Sequence, residues 1–170
     1  DAIMRFNDPQ SRNVLIGENI FNENELNCRI EVELEKFTKK VQIESRILGD
    51  LAINHIVPTA VFYQNRLLEN LRGLRETFSP EEYEMLGADR RELVKEIQLH
   101  TLEIKRLVHE MTEARHIANR LDSQIKKAYS YEECVSPYME KIREHIDHLE
   151  LEIDDEIWPL PKYRELLFTK

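Results

Sequence analysis

The sequence predicts an all-α protein, an elongated antiparallel three-helix bundle or coiled coil with a proline-kinked first helix and a short C-terminal docking tail. Three observations predict this class. The chain is 34% charged and 41% hydrophobic with only four glycines, a composition typical of helical bundles. Apolar residues recur at alternating spacings of four and three along much of the chain, which is the period of an amphipathic helix. The connections between these stretches are short, and short connections favour antiparallel neighbours.

Composition and charge exclude several classes of partner. The net charge of −9 argues against nucleic acid and anionic membranes, and no apolar run approaches the roughly 20 residues that span a bilayer. Cys28 and Cys134 lie far apart without a CxxC motif, which indicates a reduced, cytoplasmic compartment with both thiols buried or half-buried. The chain lacks a signal-peptide pattern and begins at Asp1 without a methionine, so we expect a fragment or a processed product.

Residues 1–22 differ from the rest and are predicted to be an irregular lead-in from an upstream domain. The stretch "NDPQSRN" is typical of a turn, and "NVLIGENIF" could form a strand or a docking segment. Asn22 and Glu25 then have the spacing of a capping box, which predicts that a helical bundle over 23–157 begins here.

The first long helix is predicted over about 24–78. A proline at position 58 interrupts it, removes one backbone donor and bends the rod. Ile43 and Ile47 widen its apolar stripe, so we expect this face to pack on more than one neighbour. The stripe before the proline consists of Leu26, Ile30, Leu34, Phe37, Val41, Leu48 and Leu51, and it resumes as far as Phe78.

A short helix over 80–86 and a second long helix over 89–130 follow. Ser79 is the expected cap of the short helix, with Glu82 at its third position and Gly87 at its end. The second long helix has the most regular apolar seam in the chain, sustained over five heptads. The seam consists of Leu93, Ile97, His100, Ile104, Leu107, Met111, Ala114, Ala118, Leu121, Ile125 and Ala128.

A third helix is predicted over 137–156, capped by Ser136 and returning along the second half of the second long helix. Its C-terminal turn would contain Asp154, Asp155 and Glu156, where the helix dipole disfavours negative charge. These carboxylates are therefore either solvated or paired with basic groups, for which Lys162 and Arg164 are local candidates. The inward-facing residues are Met139, Ile142, Ile146, Leu149 and Ile153.

The histidines are the only residues that suggest a metal site. His145 and His148, with Glu144 and Glu152 nearby, could offer two imidazoles and a carboxylate to zinc or iron. A charged, solvated face explains the same residues more simply, and His100 is expected to be a packed core histidine with one satisfied nitrogen. The chain has neither paired Glu-x-x-His motifs nor a nucleophile with a nearby base nor a glycine-rich phosphate loop. We therefore predict no catalytic, cofactor-binding or metal-binding residue in this chain.

The tail over 158–170 is predicted to dock. Its prolines fix φ and lower the entropy cost of burying the apolar side chains between and beside them. The tail could equally cap this bundle or bind a neighbouring surface. The predicted docking residues are Trp158, Pro159, Leu160, Pro161, Tyr163 and Phe168, together with Asp154 and Asp155.

Two stretches of the chain resemble a known family. "EKFTKKVQIESRILGDLAINHIVPTAVFYQNRL" over 35–67 and "IDDEIWPLPKYRELLF" over 153–168 are similar to the C-terminal region of type III glutamine synthetases, large dodecameric enzymes of Bacteroidetes, cyanobacteria and some other bacteria. The resemblance implies a parent enzyme that joins glutamate and ammonia through a γ-glutamyl phosphate, using ATP and Mg²⁺ or Mn²⁺. It also implies that the residues that bind these ligands lie upstream, so none is carried over to this chain.

Two hypotheses follow. The first is a non-catalytic C-terminal helical domain of a cytoplasmic glutamine synthetase that serves packing and oligomer assembly. Its partners would be the catalytic domain of the parent and the neighbouring subunits of a homo-oligomer. The alternative is a free-standing helical interaction or metal-binding module, which the heptad seam of the second long helix would allow.

Overall fold

The computed structural model describes residues 2–162 and residue 165, and it is all-helical. The described residues form helices and turns without any strand, so the predicted all-α class is confirmed. Tyr163, Arg164 and Phe168 lie outside the described residues. The helices are α1 (Ala2–Arg5), α2 (Pro9–Gly17), α3 (Glu23–Leu51), α4 (Val57–Thr77), α5 (Pro80–Leu86), α6 (Ala88–Asn119), α7 (Gln124–Ser130) and α8 (Ser136–Glu152).

The chain divides into two compact units. Unit 1 comprises Asp1–Arg46 and Met111–Pro137, and unit 2 comprises Ile47–Glu110 and Tyr138–Lys170. The long helices α3 and α6 each contribute to both units. The antiparallel three-helix arrangement of the sequence analysis stays a prediction.

The prediction of an irregular segment over 1–22 is wrong, because α1 and α2 occupy most of it. Asp8 accepts a hydrogen bond from the backbone N–H of Gln10 at 3.2 Å, and Pro9 fills the first turn. This is a normal N-terminal helix signal that the turn interpretation overlooked. Partly buried apolar residues of this segment and of α3 pack against a buried cluster of unit 1. The cluster consists of Leu26, Ile30, Leu34 and Ala128, and the residues packed against it are Ile3, Leu15, Ile16, Phe21 and Phe37.

The start of α3 agrees with the predicted capping box. The Asn22 N–H donates to Glu25 Oε2 and the Glu25 N–H donates to Asn22 Oδ1, both at 2.9 Å. Between α3 and α4 the chain forms a π-helical turn, Ala52–Ile56, in which the Val57 N–H donates to the Ala52 carbonyl. Pro58 follows directly, and the wider turn accommodates a residue that has no N–H and crowds the carbonyl four residues earlier.

The second long helix is shorter than predicted. It ends at Asn119 rather than near 130, and Ser123 starts α7 by accepting a hydrogen bond from the Lys126 N–H at 3.5 Å. Ile125, a predicted seam residue, is exposed. The regular spacing of apolar residues continued across this break, and the spacing alone therefore concealed it.

The third helix also begins differently. A second π-helical turn, Tyr131–Val135, connects α7 to α8, so Ser136 lies inside a continuous helical path and does not cap a new one. Cys134 in this turn is exposed, as is Cys28, and the prediction that both thiols are buried or half-buried is wrong.

In unit 2, α6 contacts both α4 and α8. Gln64 of α4 donates from Nε2 to the Val94 carbonyl at 3.0 Å and to Gln98 Oε1 at 3.3 Å. His145 of α8 contacts His100, which lies in the first half of the predicted second helix rather than its second half. The buried side chains of this unit include Ile97, Ile104, Ile142, Ile146 and Leu149. Among the described residues, none of the helices is both long and apolar enough to cross a membrane.

Candidate docking site at the C-terminal end

A tight turn after α8 positions the predicted docking residues. The helix ends at Glu152, four residues before the predicted end, and Ile153 is buried. The Asp154 carboxylate accepts a hydrogen bond from the Glu156 N–H at 3.0 Å, and its carbonyl accepts from the N–H groups of Ile157 and Trp158 at 3.1 and 3.2 Å. We call Ile153–Lys162 the hook, and these bonds fix the backbone that carries its tryptophan.

Two of the three acidic residues of the hook are paired with basic groups. Asp154 lies 3.6 Å from Arg66 of α4, and Asp155 forms an ion pair with Lys162. Both carboxylates follow the helix instead of lying in its last turn, so the predicted conflict with the helix dipole does not arise. Of the two interpretations that the sequence left open, pairing therefore applies to Asp154 and Asp155.

Lys162 connects the hook back to the end of α8. Its ammonium group donates to the Glu150 carbonyl at 2.7 Å and lies 5.9 Å from the centroid of the Trp158 ring. A cation at a helix C-terminus satisfies a carbonyl that has no partner within the helix and interacts favourably with the dipole. Because its side chain is only 14% exposed, these interactions are less screened by solvent than those of a surface lysine.

Trp158 is buried against its own chain. Its side chain is among the core residues at 8% exposure, although no group among the described residues accepts a hydrogen bond from its Nε1. Pro159 and Pro161 are exposed, and Leu160 is half-buried. The tryptophan therefore stabilises this end of unit 2, and the prolines beside it remain accessible.

Leu151 is an exposed residue of this site that the sequence analysis missed. It lies in the last turn of α8 and is 83% exposed. A signal was present in the sequence, because Leu151 is apolar but falls outside the inward stripe of Ile146, Leu149 and Ile153. Leu151 thus places an exposed apolar side chain directly before the hook and next to Glu150, whose carbonyl Lys162 binds.

The histidines that the sequence offered as an alternative metal site contact a third histidine, His100. Within the described part of the chain, no group of three or more histidine, cysteine, aspartate or glutamate side chains could hold a metal ion. His145 and His148 instead lie against His100, whose Nδ1 is 2.9 Å from that of His145. His100 is half-buried with this one nitrogen bonded, close to the packed histidine that its seam position predicted.

Comparisons with known proteins agree with the resemblance noted in the sequence. Residues 1–75 match a family model described as the glutamine synthetase C-terminal domain. Over all 170 residues the chain is 69% identical to a glutamine synthetase of Bacteroides fragilis (strain YCH46). Over the whole of this chain it is also 24% identical to a type-3 glutamine synthetase of Dictyostelium discoideum. The similarity to the C-terminal region of type III glutamine synthetases is thereby confirmed, and the chain spans 23% of the length of each of these two relatives.

Proposed function

We propose that this chain, whose sequence matches the C-terminal domain of glutamine synthetases, is a non-catalytic helical domain that packs on the catalytic part of such an enzyme and supports its oligomeric assembly. The observation that carries the proposal is the 69% identity over the whole chain to an enzyme more than four times as long. The parent would be a cytoplasmic ligase that forms glutamine from glutamate and ammonia with ATP and Mg²⁺ or Mn²⁺. No residue of this chain is assigned to those ligands.

The surface of the domain supports a packing role. Ile43 and Ile47 of α3 are each more than half exposed, as is Leu151. The two isoleucines widen the apolar stripe of this helix and were predicted to pack on a second neighbour, which would come from the parent or from another subunit. The alternative of a free-standing module is less well supported, since the similarity extends from one end of the chain to the other within much longer relatives.

The hook and the adjacent Leu151 divide this role between buried and exposed residues. Trp158 and Lys162 hold the hook on unit 2, while Pro159, Pro161 and the neighbouring Leu151 remain accessible. We expect the exposed residues to contact the partner and the buried ones to maintain the shape of the contact. The two groups can therefore be distinguished by substitution.

Leu151→Glu in the full-length enzyme tests the docking role. The charged side chain would stay solvated in a free domain but would be buried without a partner in an assembled one, so we expect the oligomer to dissociate at higher protein concentrations than the wild type. Analytical ultracentrifugation measures this, with thermal unfolding as a check that the domain remains folded. Trp158→Ala should instead lower the melting temperature before it alters turnover.

The matched control is Met85→Glu, which introduces the same charge at another highly exposed apolar position, on α5. An assembly constant that is unchanged in Leu151→Glu, or reduced equally in Met85→Glu, would contradict a specific docking role for the surface formed by Leu151 and the hook.

A further inference from the structure

Three histidines of unit 2 form a cluster that the proposed docking role does not use. His145 and His148 lie three positions apart in the sequence and therefore share one face of α8. This face meets His100 of α6. The His100 and His145 rings are 5.1 Å apart between centroids in an edge-on arrangement, and the His100 and His148 rings are stacked at 5.0 Å. These contacts between the two helices therefore depend on the protonation of imidazoles.

The geometry favours protons over a metal ion as the ligand of this cluster. The lone pairs of an imidazole lie in its ring plane, so the near-parallel rings of His100 and His148, inclined by 25°, do not direct their nitrogens to a common point. Between His100 and His145, one Nδ1 donates a hydrogen bond and the other accepts it. Only one proton fits between the two Nδ1 atoms, so protonation of both would leave two donors facing each other and break the bond.

The surroundings of His100 as a whole also disfavour its protonation. Burial, followed by the neighbouring His145 and His148, lowers the pKa of His100 from its ordinary value of 6.5, and Glu96 of α6 and Glu152 of α8 only partly oppose this. Glu103 lies near His145 but is bonded to Arg106 at 2.7 Å. On the α4 side, Arg66 is paired with Asp154 of the hook. The described carboxylates near the cluster therefore do not compensate fully for positive charge on His100.

We propose that the cluster of His100, His145 and His148 is a proton-sensitive contact that holds α8 against α6 near neutral pH and loosens it in mildly acidic solution. An imidazole whose pKa is lower in the folded state binds its proton more readily after unfolding. Its contribution to stability is therefore complete above the unfolded pKa of 6.5 and decreases as the pH falls through that value. Since α8 leads directly into the hook, acidification would release the residues that we assign to docking.

Hydrogen exchange of the full-length protein, measured by mass spectrometry at pH 7.5 and 5.5, tests this proposal. After correction for the chemical exchange rate, the protection of α8 peptides should fall severalfold at the lower pH, with a limit of roughly tenfold if one imidazole binds its proton only in the opened state one pH unit below 6.5. Peptides of α5, which contains no histidine, provide the internal reference. Constant protection of α8, or an equal fall in α5, would overturn the proposal.

Histidine-to-glutamine variants identify the responsible groups, because glutamine keeps hydrogen-bonding capacity but does not titrate. In the double variant His100→Gln with His145→Gln, the additional fall in α8 protection should disappear. His148→Gln alone should reduce this additional fall in protection. Because His148 is exposed, this variant provides a test if the double variant does not fold. The control is His109→Gln, because His109 is an exposed histidine of α6, the helix that carries His100. An undiminished fall in the cluster variants, or its loss in His109→Gln, would show that these histidines are not the sensor.

Discussion

At Lys162, one side chain combines three interactions that the hook depends on. It caps the Glu150 carbonyl, pairs with Asp155 and lies over the ring of Trp158. Each interaction alone is modest, but they share one partly buried ammonium group, so a single substitution removes all of them. The sequence showed that a lysine was available to the acidic turn, whereas the cap and the ring contact depend on the path of the chain after Pro161.

We predict that Lys162→Met destabilises unit 2 by about 1.5–3 kcal/mol, the range of a hydrogen bond to a charged group. Methionine preserves much of the apolar stem and removes only the charge and the donors. Urea unfolding measures the loss, and Lys162→Arg should recover part of it. Lys105→Met, at an exposed lysine of α6, is the control, and an equal effect of both substitutions would show that the three contacts add nothing.

At the scale of the helix, the two capping boxes illustrate how packing determines the value of a local signal. Both were predicted from sequence, and both have their reciprocal hydrogen bonds. The box at Asn22 begins α3, whose first turns bury Leu26 and Ile30, whereas the box at Ser79 begins α5, which has no buried residue. The same chemistry should therefore have different consequences for the stability of the chain.

We predict that Asn22→Ala lowers the free energy of unfolding by about 1 kcal/mol, the usual cost of losing a cap. Ser79→Ala should mainly increase hydrogen exchange within α5, because that helix can fray without opening the core. Denaturant unfolding and hydrogen exchange on the same two variants separate these effects. Equal global destabilisation would mean that α5 is more strongly coupled to the core than its exposure indicates.

The two π-helical turns described above, Ala52–Ile56 and Tyr131–Val135, both lie just before a proline. Each ends two residues before a proline, Ile56 before Pro58 and Val135 before Pro137. A proline within a helical path lacks the N–H and crowds the preceding turn, and widening that turn is one way to continue the helix. The sequence therefore located both interruptions, but it assigned a helix start at Ser136 where the structure continues.

For the whole molecule, the proposed division of labour predicts the behaviour of the isolated chain. A protein of residues 1–170 should show neither glutamine formation nor ATP hydrolysis above background, since the proposal assigns both reactions to the remainder of the enzyme. A coupled assay with glutamate, ammonia, ATP and Mg²⁺ or Mn²⁺ measures this, with the full-length enzyme as the positive control. Turnover by the isolated chain would refute the non-catalytic part of the proposal.

The candidate site could be predicted only in part. The prolines and the single tryptophan of the tail identified an unusual segment, because their conformational restriction is local. The partners of that segment come from α4 and α8, and no local pattern identifies Arg66 as the partner of Asp154 or Leu151 as an exposed neighbour. Tyr163 and Phe168, also predicted to dock, lie outside the described residues and stay predictions.

The sequence by itself determined the helical class, the capping boxes and the family resemblance, because each depends on residues close together in the chain. Tertiary structure decided that α1 and α2 belong to a core, that α6 ends at Asn119, and that Trp158 packs on its own unit. It also decided that histidines 45 residues apart in sequence form one cluster. The physical reason is that apolar periodicity indicates which face of a helix is buried, whereas the neighbour that buries it depends on contacts between distant segments.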